Sequence, residues 1–304
     1  MDIKVSIICN TFNHEDYIKD ALNGFVMQKC NFKYEILIHD DASTDETPSI
    51  IREYQKKYPE IIFPIYQTEN QYSKKISITK TYQIPRAKGK YIAICEGDDF
   101  WTDEYKLQKQ YDAMEKHPNI DICAHKTTML KNEKFFKYIA PAQSDKIFNV
   151  DEVIAGGGGF VATNSLFIKK ACFDKEYEFE KIRYYDYVIQ IKCSLRGGML
   201  YLNDNMSVYR YMAIGSWTVN MITNPDKSII NKERSYNMLC TLNEETEFKY
   251  NATINKRLLK LEYELLCLKG QYNKVLHNKK ILKSLSCKEK IKLIIKIIKS
   301  YCIF

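Results

Sequence analysis

Short apolar runs alternate with amphipathic segments along the first 120 residues. Apolar runs of this length predict strands, and here they lie at 4–9, 34–39, 61–66 and 91–95. Apolar residues at helical spacing predict helices, which lie at 16–28, 47–58 and 103–117. This alternation predicts an α/β fold with a parallel, doubly wound sheet and right-handed crossovers.

Beyond residue 120 the pattern is less regular. A glycine run at 156–159 interrupts it, and residues 203–205 have the composition of a turn that joins two strands. The remaining predicted elements are strands at 164–168, 199–202 and 206–211 and a helix at 184–195. From about Pro225 onward the pattern is helical and rich in lysine.

Three carboxylates follow the fourth predicted strand within four residues, namely Glu96, Asp98 and Asp99. Carboxylates this close repel one another unless a positive charge lies between them. At the carboxyl end of a parallel strand the usual positive partner is a divalent cation that carries a phosphorylated ligand. Gly97 permits the turn, and the apolar residues 100–101 would lower the dielectric beside it. The alternative is a solvated acidic turn that caps the next helix.

Polar residues also follow the first predicted strand. Thr11 and Asn13 lie ahead of a helix, where side chains and free N–H groups suit a nucleotide. Both residue types are equally suited to helix capping. A glycine-rich GxGxxG motif does not follow this strand, and GxxxxGK[ST] occurs nowhere in the chain.

A pair of acids, Asp40 and Asp41, follows the second predicted strand. A carboxylate there can accept hydrogen bonds from a uracil-type N–H or a ribose hydroxyl. Ser43 and Glu46 match a capping box for the next helix. This capping box would explain those two residues but not the acid pair. We therefore favour a binding role for the pair.

Charge and cysteine usage limit the class of protein. The net charge is +8, but residues 279–299 alone hold eight lysines against one acid, which favours an anionic surface over a nucleic-acid groove. The ten cysteines form no CxxC pair and no zinc spacing, as expected in a reducing compartment. The first strand starts almost at the N-terminus and no apolar run approaches the roughly 20 residues of a membrane span. These features predict a cytoplasmic protein that does not bind nucleic acid.

Three motifs in chain order resemble family 2 glycosyltransferases of the GT-A fold. They are residues 5–13 with Thr11 and Asn13, residues 40–45, and residues 89–101 with the acidic turn. The resemblance is close over 1–120 and looser to about 220. It implies a Rossmann-like, mostly parallel sheet with helices on both faces, followed by a helical C-terminal extension. It also implies inverting transfer of a sugar from a nucleotide-diphosphate sugar.

The resemblance implies roles for the strand-end residues. Thr11, Asn13 and Asp41 match positions that hold the base and ribose, with Asp40 beside them. Asp98 and Asp99 match the acidic motif that meets ribose and Mg²⁺ or Mn²⁺. Glu96 stands where many relatives have aspartate, and we include it among the metal ligands.

The resemblance also implies a catalytic base about a hundred residues after the acidic turn. Asp186 is the candidate, although Tyr185 departs from the usual preceding residue, and Asp174 and Asp204 compete with it. Arg210 is predicted either to contact the diphosphate or to form a surface salt bridge.

The predicted domains are a catalytic domain at 1–222 and a helical, basic extension at 223–304. Within the first, 1–120 is the nucleotide-binding half and 121–222 the acceptor-binding half. The acceptor is expected to be a glycan or lipid-linked glycan in surface polysaccharide synthesis. Residues 288–304 form a basic amphipathic helix that either contacts the inner face of the cell membrane or packs on the protein. The alternative functions are a sugar-nucleotide-forming nucleotidyltransferase and a non-catalytic nucleotide-sugar-binding module.

Overall fold

A computed structural model of the chain describes residues 2–182, 186–213 and 216–301. Ten strands in these ranges form one sheet. They are β1 (Ile3–Thr11), β2 (Lys33–Asp40), β3 (Ile62–Tyr66), β4 (Tyr91–Ile94), β5 (Phe100–Trp101), β6 (Ile122–Lys131), β7 (Lys134–Ile139), β8 (Lys146–Phe148), β9 (Phe167–Lys169) and β10 (Met199–Arg210).

The helices of the described ranges lie between these strands and after the last one. They are α1 (Ile18–Val26), α2 (Thr47–Lys57), α3 (Ile84–Arg86), α4 (Lys106–Lys116), α5 (Val150–Gly156), α6 (Glu178–Ile182), α7 (Asp186–Ser194), α8 (Trp217–Thr223), α9 (Pro225–Glu245), α10 (Asn251–Leu268), α11 (Tyr272–His277), α12 (Lys279–Ser284) and α13 (Cys287–Tyr301). Of the helix predicted at 184–195, residues 184 and 185 lie outside the description.

The main path of the sheet runs β3-β2-β1-β4-β9-β6-β10-β5, with β7 on β6 and β8 on β10. Along that path the described strands form four parallel pairs and three antiparallel pairs. The first four strands are all parallel, so the carboxyl ends of β1, β2 and β4 meet at one edge of the sheet. The predicted α/β fold is confirmed.

Both faces of the sheet are covered at its centre, where every residue of β4 is buried. One face packs on α1, α2 and α4 through a core that includes Ile7, Ile36 and Ala93. The other face of β1 and β2 receives the helical turn Thr79–Gln83, whose Gln83 donates from Nε2 to the carbonyls of Cys9 and Leu37 (both 3.1 Å). Strands buried on both sides read as unbroken apolar runs, which is why the sequence located them.

Two local predictions were wrong. Residues 203–205 do not form a turn, because β10 continues through them with irregular pairing to β6. The capping box of Ser43 and Glu46 does not form: the N-cap residue Glu46 makes no side-chain capping bond, and the Ser43 hydroxyl instead accepts the N–H of Asn13 (2.9 Å). In both cases a segment distant in sequence, β6 for residues 203–205 and Asn13 for Ser43, provides hydrogen bonds that replace the predicted local ones.

The chain divides into two compact units. Unit 1 comprises Met1–Glu176 and Tyr185–Ser216, and unit 2 comprises Tyr177–Tyr184 and Trp217–Phe304. Unit 2 is helical, with its own core that includes Tyr263, Val275 and Ile281. The functional boundary at 222/223 stays a prediction.

A fully buried lysine lies beneath the acidic turn in unit 1. Lys106, in the first turn of α4, donates from Nζ to Oε1 of Gln110 (2.7 Å) and lies 3.9 Å from the centre of the Trp101 ring. Trp101 is also buried, where its ring meets Phe25 edge-on and its Nε1 donates to the carbonyl of Asn164 (2.9 Å). Burial lowers the pKa of Lys106 to about 7.

This pKa predicts a specific pH dependence of stability. The unfolded lysine has a pKa of about 10.4, so between pH 7 and 10 the unfolded chain binds more protons at this site than the folded chain. Stability from this group therefore rises with pH across that window, by about 1.4 kcal/mol per unit. Between pH 7 and 9 we therefore expect the free energy of unfolding of the wild type to rise, relative to that of Lys106→Met, by about 1.4 kcal/mol per pH unit. Urea unfolding followed by tryptophan fluorescence measures this difference.

The exposed Lys116 of the same helix is the matched control. Lys116→Met should follow the wild-type pH dependence throughout, and below pH 6 the wild type and Lys106→Met should change in parallel. Parallel curves for wild type and Lys106→Met up to pH 9 would show that Lys106 stays protonated in the folded protein.

Candidate active site

The turns after β1 and β2 are hydrogen-bonded to each other. The N–H of Asp41 donates to the carbonyl of Thr11 (2.9 Å). Asn13, with φ of 53°, accepts the N–H of Thr44 at Oδ1 (2.9 Å) and donates its own N–H to the hydroxyl of Ser43 (2.9 Å). Asn13 therefore holds the two turns together as one rim at the sheet edge.

Three polar atoms behind this rim are buried and have no hydrogen-bond partner among the described residues. They are Oγ1 of Thr11, Oδ1 of Asp40 and the hydroxyl of Tyr66. Thr11 pairs with Asp40 across β1 and β2, and Asp40 pairs with Tyr66 across β2 and β3, so the three residues are neighbours. Burial raises the pKa of Asp40. Buried polar atoms without partners are rare in native proteins and indicate a missing ligand or water.

The second acid of the pair has its carboxylate occupied. The Oδ1 and Oδ2 atoms of Asp41 accept the backbone N–H groups of Gln71 (2.7 Å) and Tyr72 (3.0 Å). Asp41 thus fixes the loop at 70–72 as a wall beside the rim. Its predicted contact with a nucleotide base stays a prediction.

The acidic turn after β4 has carboxylates in two different environments. Asp99 is buried, and its Oδ2 accepts the Asn164 amide (3.0 Å) while its Oδ1 accepts the backbone N–H of Arg210 (2.9 Å). Burial and the charge of Asp98 raise the pKa of Asp99 well above its usual range. Asp98 is half-buried and Glu96 reaches solvent. The alternating directions of neighbouring side chains therefore separate Asp99 from the other two acids.

The charge around Glu96 links the acidic turn to α7. Desolvation by the surrounding protein raises the pKa of Glu96 to about 8, together with the negative charges of Asp98 and Asp186. A cation bound beside Glu96 would counter the part of this rise that the two charges cause. A β-carbon at Gly97 would lie 2.6 Å from Oγ1 of Thr11 and 2.9 Å from Nδ1 of His14, so the turn packs directly on the rim.

Arg210 is buried and fully engaged inside unit 1. Its guanidinium pairs with Asp20 (2.6 Å) and Glu133 (3.1 Å) and donates to the carbonyl of Asp98 (3.0 Å). It also lies 4.5 Å from the centre of the Phe100 ring. Of the two predicted roles, the salt bridge is present, with a buried guanidinium and two carboxylates that are 49% and 66% exposed. The diphosphate contact stays a prediction.

Asp186 is the first residue of α7, and its carboxylate is oriented by two donors. The Thr163 hydroxyl donates to Oδ2 (2.9 Å) and the N–H of Tyr187 donates to Oδ1 (2.8 Å). The helix N-terminus favours the charged carboxylate. Gly158 of the glycine run lies beside it, since a β-carbon there would be 3.9 Å from Oδ1 of Asp186. Tyr185 lies outside the described residues.

The two competitors of Asp186 lie elsewhere in unit 1. Asp174 lines a shallow depression with Ile3 and Lys90, at the amino ends of β1 and β4 and so at the opposite edge of the sheet. Asp204 is exposed in the middle of β10 and pairs with Lys109 (2.8 Å). Neither position faces the acidic turn.

Sequence reasoning missed the residues that support the acids. Asn164 bonds Asp99, and its Oδ1 accepts the hydroxyl of Ser207 (2.9 Å), which bonds Thr127 in turn (2.9 Å). Thr163 orients Asp186. The available signal was the polar pair Thr163 and Asn164, which follows a glycine run and three apolar residues in a segment that otherwise reads as buried.

The acids facing the open side suit a hard divalent cation, which prefers carboxylate oxygen. Within the described ranges no group of three His, Cys, Asp or Glu side chains forms a ready metal site. Glu96 and Asp98 supply two carboxylates whose mutual repulsion a cation would relieve. This donor set fits Mg²⁺ or Mn²⁺, which usually bind through one or two carboxylates plus substrate phosphates.

Comparison with solved structures defines the class of this fold. TarS 1–349 of Staphylococcus aureus in complex with UDP-GlcNAc superimposes with a TM-score of 0.66 at 16% identity, over 97% of this chain and 79% of that chain. The mannosyltransferase PcManGT of Pyrobaculum calidifontis, in complex with GDP-Man and Mn²⁺, gives 0.51 at 14% identity, over 98% and 87%. The fold is therefore that of GT-A glycosyltransferases.

Sequence comparison then identifies the family. The sequence model of glycosyl transferase family 2 matches residues 6–172, so the chain belongs to that family. Rv1520 of Mycobacterium tuberculosis is 33% identical over 220 residues, 70% of this chain and 60% of that protein. The poly(ribitol-phosphate) beta-glucosyltransferase of Bacillus spizizenii is 35% identical over 107 residues, 35% of this chain and 16% of that protein. The chain thus spans at most 60% of the length of these two relatives.

Proposed function

We propose that this protein transfers a sugar from a nucleotide-diphosphate sugar to an acceptor hydroxyl, with inversion, in the assembly of a cell-surface polysaccharide. The observation that carries the proposal is the set of partnerless polar atoms of Thr11, Asp40 and Tyr66 beside an open acidic turn. Such a pocket fits the base and ribose of a nucleotide, and the acids fit its metal-bound diphosphate. Family membership supports the reaction class.

The donor would lie along the carboxyl ends of β1, β2 and β4. Thr11 and Asp40 would contact the base and ribose with their free oxygens, while Asn13 and Asp41 shape the rim and wall around them. Asp98 and Glu96 would hold Mg²⁺ or Mn²⁺, and Asp99 would fix the turn through Asn164. This assignment differs from the expectation that Asp99 itself binds the metal.

The proposed chemistry is a single displacement at the anomeric carbon. Asp186 accepts the proton of the acceptor hydroxyl as its oxygen attacks from the face opposite the leaving group, a role worth about 10²–10⁴-fold. The bond to the nucleotide diphosphate breaks in the same step, so the configuration inverts. A cation bound at the acidic turn would neutralise charge that develops on the diphosphate.

The two alternative functions are less well supported. A nucleotidyltransferase would need a glycine-rich, arginine-containing loop after β1, and residues 10–14 contain neither glycine nor arginine. A purely binding module would not need an oriented carboxylate near the acidic turn, which Asp186 supplies.

The decisive test is a panel of UDP- and GDP-sugars with and without Mn²⁺. We expect at least one donor to raise the melting temperature by mass action only when the cation is present, and to be hydrolysed slowly without acceptor. EDTA should reverse both effects. Metal-independent stabilisation without hydrolysis would favour the binding module. Formation of UTP or GTP and sugar 1-phosphate when pyrophosphate is added would favour the nucleotidyltransferase.

We further propose that α13 contacts an anionic membrane surface. Within unit 2 this helix has two apolar faces, because Leu293 is buried in the core while Ile291, Ile294 and Ile295 remain 47–58% exposed. Lysines at 288, 290 and 292 are exposed around this outer stripe, whereas the side chains of Ile298 and Tyr301 lie outside the description. No described helix is long and apolar enough to cross a membrane.

Sedimentation with lipid vesicles tests this surface. The protein should bind vesicles that contain phosphatidylglycerol, and Ile291→Ser/Ile294→Ser should weaken that binding about tenfold, because apolar burial and charge act together at the interface. The control is Ile222→Ser/Ile230→Ser, which changes two isoleucines exposed elsewhere in unit 2. Equal binding by both double variants would exclude α13 as the contact.

A further inference from the structure

The hairpin of β6 and β7 carries an exposed cluster of aromatic and basic side chains. Every residue from Lys131 to Tyr138 is exposed, and the three rings keep 48–59% of their surface accessible. Large aromatic side chains usually bury most of their surface. We call this cluster the hairpin surface and define it by Lys131, Lys134, Phe135, Phe136, Lys137 and Tyr138.

The rings of the hairpin surface are held in place by their neighbours. Phe136 stacks on Tyr211 with a centroid distance of 5.8 Å and an angle of 9°, and Phe135 lies 5.1 Å from Tyr138. The amine of Lys137 lies 5.8 Å from the Phe136 ring centre, and that of Lys126 lies 4.2 Å from the Tyr138 ring centre. Rings and ammonium groups are thus arranged before any ligand binds, which lowers the entropic cost of binding.

The charge of the hairpin selects an anionic ligand. Residues 126–139 contain four lysines and one acid, Glu133. The carboxylate of Glu133 pairs with Arg210, so that the lysines remain in excess. Lys134 precedes the adjacent rings of Phe135 and Phe136, and Lys137 separates them from Tyr138 in the chain, so ammonium groups lie among the rings.

The hairpin surface is joined directly to the reaction centre. Arg210 donates from Nε to Glu133 at the hairpin turn (3.1 Å) and from Nη1 to the carbonyl of Asp98 in the acidic turn (3.0 Å). One side chain therefore spans from the acids to the hairpin. An acceptor polymer whose end reaches the acidic turn would therefore lie next to the hairpin surface.

We propose that the hairpin surface binds the acceptor as an anionic glycan chain. The apolar C–H faces of its sugar rings would pack on Phe135, Phe136 and Tyr138, and its phosphate or carboxylate groups would pair with Lys134 and Lys137. This assignment of the acceptor class rests on the proposed function, and it adds the surface that distinguishes a charged polymer from a neutral one.

Affinity electrophoresis through gels that contain hyaluronan, phosphomannan or neutral dextran tests the proposal. Hyaluronan and phosphomannan should retard the wild-type protein, and dextran should not. Stronger retardation by hyaluronan would indicate that the surface prefers carboxylate groups, and stronger retardation by phosphomannan would indicate phosphate groups. Lys134→Gln/Lys137→Gln and Phe135→Ala/Tyr138→Ala should each weaken retardation about fivefold. All four side chains are exposed, so these variants should fold normally.

The matched control is Lys56→Gln/Lys57→Gln, which removes the same charge from exposed positions of α2 and should retain full retardation. Equal losses in control and hairpin variants, or equal retardation by dextran, would overturn the proposal. Stronger competition by single-stranded RNA than by free hyaluronan would also overturn it, as would stronger competition by phosphatidylglycerol vesicles in the Ile291→Ser/Ile294→Ser variant, which lacks the proposed membrane contact. Donor-induced melting shifts should be unchanged in the hairpin variants. If no donor shifts the wild type while hairpin-dependent retardation persists, the proposed function fails and the glycan surface stands.

Discussion

Asp186→Asn should lower sugar transfer by about 10²–10⁴-fold, the usual contribution of a general base. The substitution keeps an oxygen for the N–H of Tyr187 and places the amide N–H₂ beside the hydroxyl of Thr163, which can rotate to accept it, so the local geometry should persist. The amide cannot take the proton of the acceptor. The donor-induced melting shift with Mn²⁺ should therefore match wild type while steady-state transfer is almost lost.

The matched control for this variant is Asp174→Asn, the same change at the opposite edge of the sheet. It should leave transfer within twofold of wild type, as expected of a surface substitution. Unchanged turnover in Asp186→Asn would remove the base assignment. Loss of the donor-induced shift together with turnover would mean that Asp186 acts in binding and not in proton transfer.

The two adjacent acids Asp98 and Asp99 should respond differently to the same change. Asp98→Asn removes one of the two open carboxylates, and we expect it to abolish Mn²⁺-dependent donor binding with little change in the melting temperature of the free protein. Asp99→Asn places an amide N–H₂ against either the Asn164 amide or the Arg210 N–H. A buried mismatch of this kind costs about 1–3 kcal/mol.

Calorimetry of metal and donor binding, paired with thermal unfolding, distinguishes the two acids. Asp99→Asn should unfold at a lower temperature yet retain the Mn²⁺ requirement in the fraction that is folded. Loss of metal dependence in Asp99→Asn at unchanged stability would restore the assignment that the sequence motif suggests. Retained Mn²⁺ dependence in Asp98→Asn would exclude Asp98 as a ligand.

The strands that carry the site could be predicted because they are buried on both faces. Residues 91–94 and 36–39 read as unbroken apolar or nearly apolar runs, and the acids after them mark the end of each strand. Parallel order then places these acids at one edge. By contrast, β7 was not predicted, because an exposed segment such as Lys131–Tyr138 has no apolar periodicity to find. The mostly buried β6 was not predicted either, because the polar run 125–128 interrupts its apolar residues.

The orientation of each site residue depended on partners far away in the chain. Asp99 turns inward because Asn164 and Arg210 meet it, and these lie 65 and 111 residues later. Arg210 is occupied because Asp20, 190 residues earlier, completes its ion pair. The local sequence pattern contains no information about such pairs. The sequence motif alone therefore predicted that Asp99 binds the metal and that Arg210 contacts the diphosphate.

By itself, the sequence determined the α/β class, the family and the edge of the sheet where the acids gather. These properties follow from local periodicity and short motifs, which act over a few residues at a time. Only the tertiary structure decided which carboxylates remain open, which are consumed by hydrogen bonds, and that an aromatic and basic hairpin lies beside them. Burial and pairing arise from contacts between distant segments, and those contacts exist only once the chain has folded.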